Sequence, residues 1–436
     1  MHRRDFLKAV AATATLPVSA QHGKRPNFLI ILSDDQGYHD VSSYGSEIPT
    51  PHMDAIGKAG VKFEQFYAAS PVCTPSRFGL LTGRYPARSQ DQMLNALMPP
   101  SKKGLHADET TFAEVLKRSG YETALIGKWH LGGSRPEFLP NHHGFDHFEG
   151  FLHGCVDYFN FTYGGQPTWF RDEKPYQPPK GYSTNYLTDQ AIGYLRQKHD
   201  KPFLLYLPYN APHYGKAGWD PKIGKGDNIL QAPEEYIRKF THIADEKRRT
   251  YAAMVACLDD NIGRVMQALR ESFLEEDTFV IFFSDNGGAT EFGGANTPLR
   301  GQKSDLFEGG IRVPCFMQWK GRLQPGRDIK QPIAATDIFP TLCSLASTMP
   351  PTNLDGKDLT PLLFRNVASE REFFWRTERG DAYLLGEWKY IRMKSGEEFL
   401  FDLAADPNET ANRTGDAATL ARMKREYERV RKTMPA

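Results

Sequence analysis

The chain has 436 residues, a mean hydropathy of −0.54 and 25% charged residues, with 54 Lys and Arg against 53 Asp and Glu for a net charge of +1. That length holds one large globular unit with a small one attached. The near-zero balance excludes a globally basic nucleic-acid binder or a membrane-adsorbed protein, so any affinity for an anion is local.

Arg3-Arg4-Asp5-Phe6-Leu7-Lys8 precedes a mild apolar run over 9–16 and the small-residue pattern Val18-Ser19-Ala20. This order resembles a twin-arginine signal peptide over 1–20. It implies passage of the folded chain through the twin-arginine export machinery to a bacterial periplasm or beyond. The run is too short to span a bilayer, so no stable membrane insertion is expected. Next, Phe28-Leu29-Ile30-Ile31-Leu32 reads as a strand buried on both faces and ends at Ser33-Asp34-Asp35. A short helix over 54–60 follows.

Cys73-Thr74-Pro75-Ser76-Arg77 then runs on to Leu80-Leu81-Thr82-Gly83-Arg84. Pro75 suits the first turn of a helix and Gly83 the position just past its end. Cys73 would sit at the helix N-terminus, where unpaired N–H groups favour an anion, with Arg77 one turn further on. The spacing suggests a cysteine-derived nucleophile meeting an anionic group, whereas an isolated cysteine would read as a small buried hydrophobe.

Residues 110–119 form an amphipathic helix, and a strand over 123–126 delivers Gly127-Lys128-Trp129-His130-Leu131-Gly132. In extended backbone Lys128 and His130 project to the same side. Residues 150–180 are aromatic-, Gly- and Pro-rich and read as long loops over a site. There Tyr158, Phe159, Tyr163, Trp169 and Tyr176 make either a sugar platform or a satellite hydrophobic cluster. A helix over 187–198 and a strand over 203–207 lead to Asn210-Ala211-Pro212-His213. The stripe Tyr251, Val255, Leu258, Ile262, Val265 and Leu269 marks a helix over 247–271, and a strand over 279–283 ends at Ser284-Asp285-Asn286-Gly287-Gly288. Residues 297–314 are a glycine-rich loop carrying Lys303, Glu308 and Arg312, and 337–346 are helical.

The alternation predicts an α/β fold around a mostly parallel sheet. The tail differs, with strands over 372–377, 382–385, 388–393 and 398–403 and a basic helix over 417–433. It reads as a small antiparallel α+β domain, 350–436, after a larger one, 21–349. Cys155, Cys257, Cys315 and Cys343 have no C-x-x-C spacing and are expected to be buried free thiols.

Asp34-Asp35, Lys128 with His130, His213 and Asp285-Asn286 each fall at the C-terminal end of a predicted strand, the edge where open α/β sheets bind ligands. Carboxylates 4 Å apart repel by about 4 kcal/mol at an effective dielectric of 20, so Asp34, Asp35 and Asp285 together call for a cation. Oxygen donors, with the Asn286 amide, select Ca²⁺ or Mg²⁺. Taken singly, Asp34-Asp35 reads as a cap and Asp285-Asn286-Gly287 as turn chemistry.

The Cys73 to Arg77 motif with Leu81-Thr82-Gly83-Arg84 resembles the signature of the type I, formylglycine-dependent sulfatases. The resemblance runs from about Pro26 to the C-terminus and implies an alkaline-phosphatase-like sandwich. It implies that a formylglycine-generating enzyme oxidises Cys73, and that Ca²⁺ is held by Asp34, Asp35, residue 73, Asp285 and Asn286. Arg77, Lys128 and Lys303 would bind the sulfate, the hydrated aldehyde would attack it, His213 would protonate the departing oxygen and His130 would drive sulfate release. Gly127 to Gly132 keeps the family's motif, as does Lys303 ahead of Glu308-Gly309-Gly310-Ile311-Arg312, whereas Tyr214-Gly215 departs from the usual proline after His213.

His143-Gly144-Phe145-Asp146 resembles the branch with N-acetylgalactosamine-6-sulfatase and arylsulfatase A, and His153 falls near that branch's polar substrate-side residue. The expected activity is hydrolysis of sulfate monoesters, exo-acting on sulfated carbohydrates, with aryl sulfates also cleaved. One alternative is a phosphomonoester or phosphodiester hydrolase of the same fold, although Asp285-Asn286 stands where its two-metal relatives carry Asp-His. Another is a non-catalytic, metal-stabilised glycan-binding protein with Cys73 unmodified.

Overall fold

The computed structural model describes residues 24–220 and 225–435, and the export signal expected at 1–20 lies outside the described residues. Ten strands form one sheet. In chain order they are β1 (Asn27–Ser33), β2 (Val61–Phe63), β3 (Glu122–Lys128), β4 (His147–Phe151), β5 (Trp169–Arg171), β6 (Lys174–Pro175), β7 (Phe203–Pro208), β8 (Thr278–Ser284), β9 (Cys315–Gln318) and β10 (Arg327–Ile329). Across the sheet the order is β10-β2-β9-β8-β1-β7-β3-β4-β5-β6. The central strands β8, β1, β7, β3 and β4 are mutually parallel, and the antiparallel pairings lie toward the edges.

The unbroken apolar runs follow from cover on both faces. Successive side chains of a strand point to opposite sides. Phe28, Ile30 and Leu32 of β1 therefore join the core beneath helices α2 (Cys73–Thr82), α3 (Phe112–Arg118) and a later helix, Ile338–Leu345. Leu29 and Ile31 join the core on the other face, beneath α1 (Pro51–Lys58), α4 (Ser183–Leu195) and α5 (Glu246–Glu271). Each such side chain contributes about 1.5–3 kcal/mol when fully buried. Helix α5 starts where Asp245 accepts from the Arg248 N–H at 2.7 Å, and its predicted stripe lies wholly in the core.

The region 150–180 departs from the expectation of loops. It folds back as β5 and β6 on the sheet edge, with a further two-stranded ribbon of Thr162–Tyr163 and Gln166–Pro167. Tyr158, Tyr163 and Trp169 are buried, Tyr158 and Trp169 within the core beside α4, so they form packing and not an exposed platform. Phe159 is exposed, and Tyr176 is half-buried under the Arg171 guanidinium.

The tail is as expected, with β11 (Glu372–Thr377), β12 (Gly380–Leu385), β13 (Trp388–Met393) and β14 (Glu398–Asp402) as an antiparallel meander, closed by helix Ala417–Arg431. One face, with Phe373, Trp375 and Ile391, packs on Tyr67, Leu306 and Ile311. The other, with Phe374, Tyr383 and Tyr390, packs on Met423 and Tyr427 of that helix. A buried triad fastens the two parts: Lys389 Nζ lies 2.9 Å from Glu308 Oε1 and 2.8 Å from Glu409 Oε1. Among the described residues all five cysteines are buried and unpaired, and no helix is long and apolar enough to cross a membrane.

Candidate active site

Four neighbouring parallel strands deliver the residues to one edge. Asp34 and Asp35 follow β1, Lys128 ends β3, His213 follows β7, and Asp285 and Asn286 follow β8. Main-chain bonds lock these ends together: Asp34 N–H donates to Ala211 O at 3.1 Å and Asp285 N–H to Ser33 O at 3.0 Å. Helix α2 brings Cys73 and Arg77 beneath them. Its Gly83 ends the helix in the left-handed conformation (φ 65°), as the sequence requires. Gly287 presses on the loop that carries Lys303: a Cβ there would lie 1.9 Å from Gly309 O, so only glycine fits.

The three carboxylates are matched by three side-chain cations. Lys128 Nζ donates to Asp34 Oδ2 at 2.5 Å, Arg77 Nη2 to Asp285 Oδ2 at 2.9 Å, and Lys303 Nζ to Asp35 Oδ2 at 2.6 Å. Arg77 also reaches Lys128 O at 3.1 Å and lies 3.6 Å from Asp34 Oδ2. The sequence reading gave the neutralising of these acids to a bound metal alone, whereas Lys128, Arg77 and Lys303 share it. Ser76 Oγ and Tyr251 OH hold the Asp285 and Asp35 carbonyls at 2.5 and 3.0 Å. The sequence reading had Ser76 inside the motif and Tyr251 on the core stripe, yet gave neither a role in the site.

The charges respond unequally to burial. Burial raises Asp285, and Asp34 beside it raises it further, so it stands at about 7 despite Arg77 and Lys128. Burial acts on Asp35 too, but Lys303 and His213 outweigh it and hold it at about 2. Cys73 is 2% exposed, and burial pushes its thiol up against the pull of Lys128 and Lys303. Desolvation thus outweighs the helix N-terminus and keeps the Cys73 thiol protonated.

The histidines differ from the sequence reading in backbone at His130 and in charge at His213. His130 takes left-handed backbone (φ 56°), so it does not continue the extended alternation that placed it beside Lys128. Its Nε2 hydrogen-bonds Leu97 O at 3.0 Å, while Nδ1 is buried with no partner. Burial, then the Lys128 and Arg77 charges, hold it well below 6.5 and therefore neutral. His213 bonds Tyr214 O through Nδ1 at 2.8 Å and accepts at Nε2 from Lys303 at 3.1 Å. Burial and Lys303 take it down to about 3 against the pull of Asp35, so it is no ready-made imidazolium acid; the proton next to it sits on Lys303.

The donor set fits a hard divalent cation. Asp34 Oδ1 and Asn286 Oδ1 are buried acceptors without hydrogen-bond partners. Donor atoms of Asp34, Asp35 and His213 lie within 4.8 Å of one another. Asp285 and Asn286 reach Asp35 through bonds of 3.2 and 2.7 Å. The sequence reading missed His213 as a possible member of this donor group, because nothing local signals its 3.4 Å approach to Asp35 Oδ2.

A doubly covered parallel sheet with a buried, cation-lined centre at its strand ends defines a hydrolase of anionic esters. Residues 26–348 match the family described as Sulfatase, and 302–433 match that described as N-sulphoglucosamine sulphohydrolase, C-terminal. The chain belongs to the sulfatase family, the sulfuric ester hydrolases. It is 35% identical over 357 residues to arylsulfatase J of Mus musculus, across 80% of this chain but only 57% of that protein. It is 33% identical over 407 residues to N-acetylgalactosamine-6-sulfatase of Canis lupus familiaris, across 86% of this chain and 73% of that protein. A crystal structure of Ps i-CgsB in complex with k-i-k-neocarrahexaose superposes with a TM-score of 0.83 at 31% identity, covering 93% of this chain and 92% of that one.

Proposed function

We propose that this chain is an exported, exo-acting sulfatase that hydrolyses sulfate monoesters of carbohydrates, with aryl sulfates as poorer substrates. The observation that carries this reading is the set Arg77, Lys128 and Lys303, three cations on three carboxylates beside Cys73. Such a set holds the oxygens of a tetrahedral anion while staying neutral in its absence. The sulfated-carbohydrate substrate is suggested by the carbohydrate in the Ps i-CgsB complex.

Asp34, Asp35, Asp285 and Asn286 would hold Ca²⁺, with Mg²⁺ as the other hard-cation choice, and His213 stands within reach of the same group. When bound, the ion supplies Lewis-acid polarisation of sulfate oxygens. Oxidation of Cys73 to formylglycine would supply the nucleophilic oxygen as a hydrated aldehyde. The remaining work falls to this chain's own side chains. Arg77, Lys128 and Lys303 orient the sulfate for in-line attack. The proton for the departing oxygen is held between Lys303 Nζ and His213 Nε2. His130 Nδ1, unpaired and neutral, is the base available to residue 73.

Exo action rests on burial: Cys73, Asp34, Asp35, Lys128 and His130 are all at most 2% exposed, which suits a terminal residue entering a narrow mouth. Residues 1–20 would direct export, leaving a catalytic unit of 21–349 and a C-terminal unit of 350–436. The test is the intact mass of the Cys73 peptide from a host with the converting enzyme, alongside Cys73→Ala. Formylglycine at residue 73 and a folded, inactive variant are expected, and full turnover by Cys73→Ala refutes the nucleophile. Equal release per sulfate from intact polysaccharide and short oligosaccharides refutes exo action.

A further inference from the structure

Asp35 takes left-handed backbone (φ 59°), a conformation that a residue with a side chain holds only where its surroundings impose it. One constraint comes from behind the turn. Tyr251 of α5 brings its hydroxyl to 3.0 Å from Asp35 O and 2.8 Å from Asp40 Oδ2. Both neighbours are acceptors and a hydroxyl carries one proton, so the two oxygens share it. Asp40 is itself fully buried and collects three more donors. They are the Gly37 and Ala295 N–H groups, each at 2.9 Å, and Arg248 Nη1 at 2.6 Å.

These bonds join loops that carry different parts of the centre. Gly37 lies in the turn after Asp34 and Asp35, and a Cβ there would stand 2.1 Å from Ala295 O, so the two loops meet without slack. Next to Ala295, the Asn296 side chain clasps Gly288, accepting from its N–H at 2.8 Å and donating to its carbonyl at 2.9 Å. Gly288 O also accepts the Lys303 N–H at 3.2 Å. Asp40 therefore links the Asp34-Asp35 turn, the segment after Asp285-Asn286 and the main chain of Lys303. A buried aspartate–arginine pair adds little net stability, because desolvation offsets the attraction, whereas four bonds to one carboxylate fix geometry.

We propose that Asp40, braced by Tyr251 and Arg248, is a positioning residue of this centre: it holds Asp35 in the left-handed turn that aims its carboxylate at Lys303 and the bound cation. The proposal rests on the metal reading above. Its test is cation binding by the full-length protein, stripped with chelator and titrated with Ca²⁺ and Mg²⁺ by calorimetry. The dissociation constant of the tighter ion is compared in wild type, Tyr251→Phe, Asp40→Asn and Val255→Ala. Tyr251→Phe removes one hydroxyl and keeps the ring. Asp40→Asn keeps the shape but turns its amide hydrogens toward Arg248 or toward the other three donors. Val255, one turn further along α5 and buried in the core, serves as a control that lowers stability alone.

Tyr251→Phe and Asp40→Asn are each expected to weaken the cation by at least about fivefold, the size of loss that follows when a ligand's support is removed. Val255→Ala should leave the affinity near that of wild type however far it lowers the urea midpoint in chelator, because a contact that is equally present with and without the ion cancels from its binding. A smaller loss in either site variant overturns the proposal, as does a comparable loss in Val255→Ala. A wild type that binds neither Ca²⁺ nor Mg²⁺ overturns the metal reading, and this proposal with it.

Discussion

Replacing Arg77 by leucine isolates the electrostatics of the centre, provided that wild type and variant are compared in chelator. Arg77 is fully buried and is the 2.9 Å partner of Asp285. Removing one member of a buried ion pair costs about 3–5 kcal/mol. The loss has a ceiling, because an unpaired carboxylate takes up a proton instead. Asp285 holds its proton to about pH 7 in the folded chain against 3.8 unfolded, so its contribution is complete below 3.8 and lost as pH rises through 7.

Without Arg77 that loss extends to higher pH. Between pH 6 and 8 a carboxyl titrating at 7 is half protonated on average, and one titrating above 8 is almost wholly protonated. The difference is about one proton-unit of pH, so the variant loses stability faster as pH rises, and Arg77→Leu should cost about 1.4 kcal/mol more at pH 8 than at pH 6 from Asp285 alone. Urea unfolding at the two pH values, read as midpoints at a common slope, measures it. Arg77→Lys keeps the charge but not the fork to Asp285 and Lys128 O, and should lose about 1.5–3 kcal/mol at both. An Arg77→Leu variant within 0.5 kcal/mol of wild type, with ~0.5 as the size of an ordinary surface change, would refute the reasoning.

Divalent-cation removal should abolish turnover and lower the melting temperature, with recovery on adding Ca²⁺ or Mg²⁺; an unchanged melting curve in chelator contradicts the metal site. His143 is buried against Trp129 and stands at about 4, so its contribution is present above 6.5 and lost as pH falls from 6.5 to 4. That amounts to at most about 3 kcal/mol, and His143→Phe should flatten that part of the stability profile, read by urea midpoints at pH 7 and 4.5. Lys389→Met leaves Glu308 and Glu409 buried without their cation and should destabilise by about 3–5 kcal/mol, with Lys389→Arg recovering part of it; a midpoint equal to wild type removes the triad from the fold's energetics.

Much of this centre was legible because its residues sit where apolar runs stop. A run such as 28–32 fixes a strand, and the polar letters after it fall at the sheet edge by necessity. What stayed hidden is the pairing between distant segments. Lys128 and Asp34 are 94 positions apart, and Lys303 and Asp35 are 268 apart, so no local pattern announces that the cations expected to bind sulfate pair with the acids. Strands of two or three residues, as β5 and β6 are, carry too little periodicity to register, and with them went the facing of Trp169 and Phe170. The left-handed turn at His130 has no glycine to signal it.

The Lys389 triad bears on how such chains can be recombined. The loop holding Lys303 runs directly into Glu308, and Glu308 is held by a lysine and a glutamate from the other side of the nominal boundary at residue 350. A chimera joined near 350 would therefore inherit the Lys303 loop of one parent and the other parent's anchor for it. Shuffled libraries should be cut ahead of residue 302, so that Lys303, Glu308, Lys389 and Glu409 travel as one heritable block.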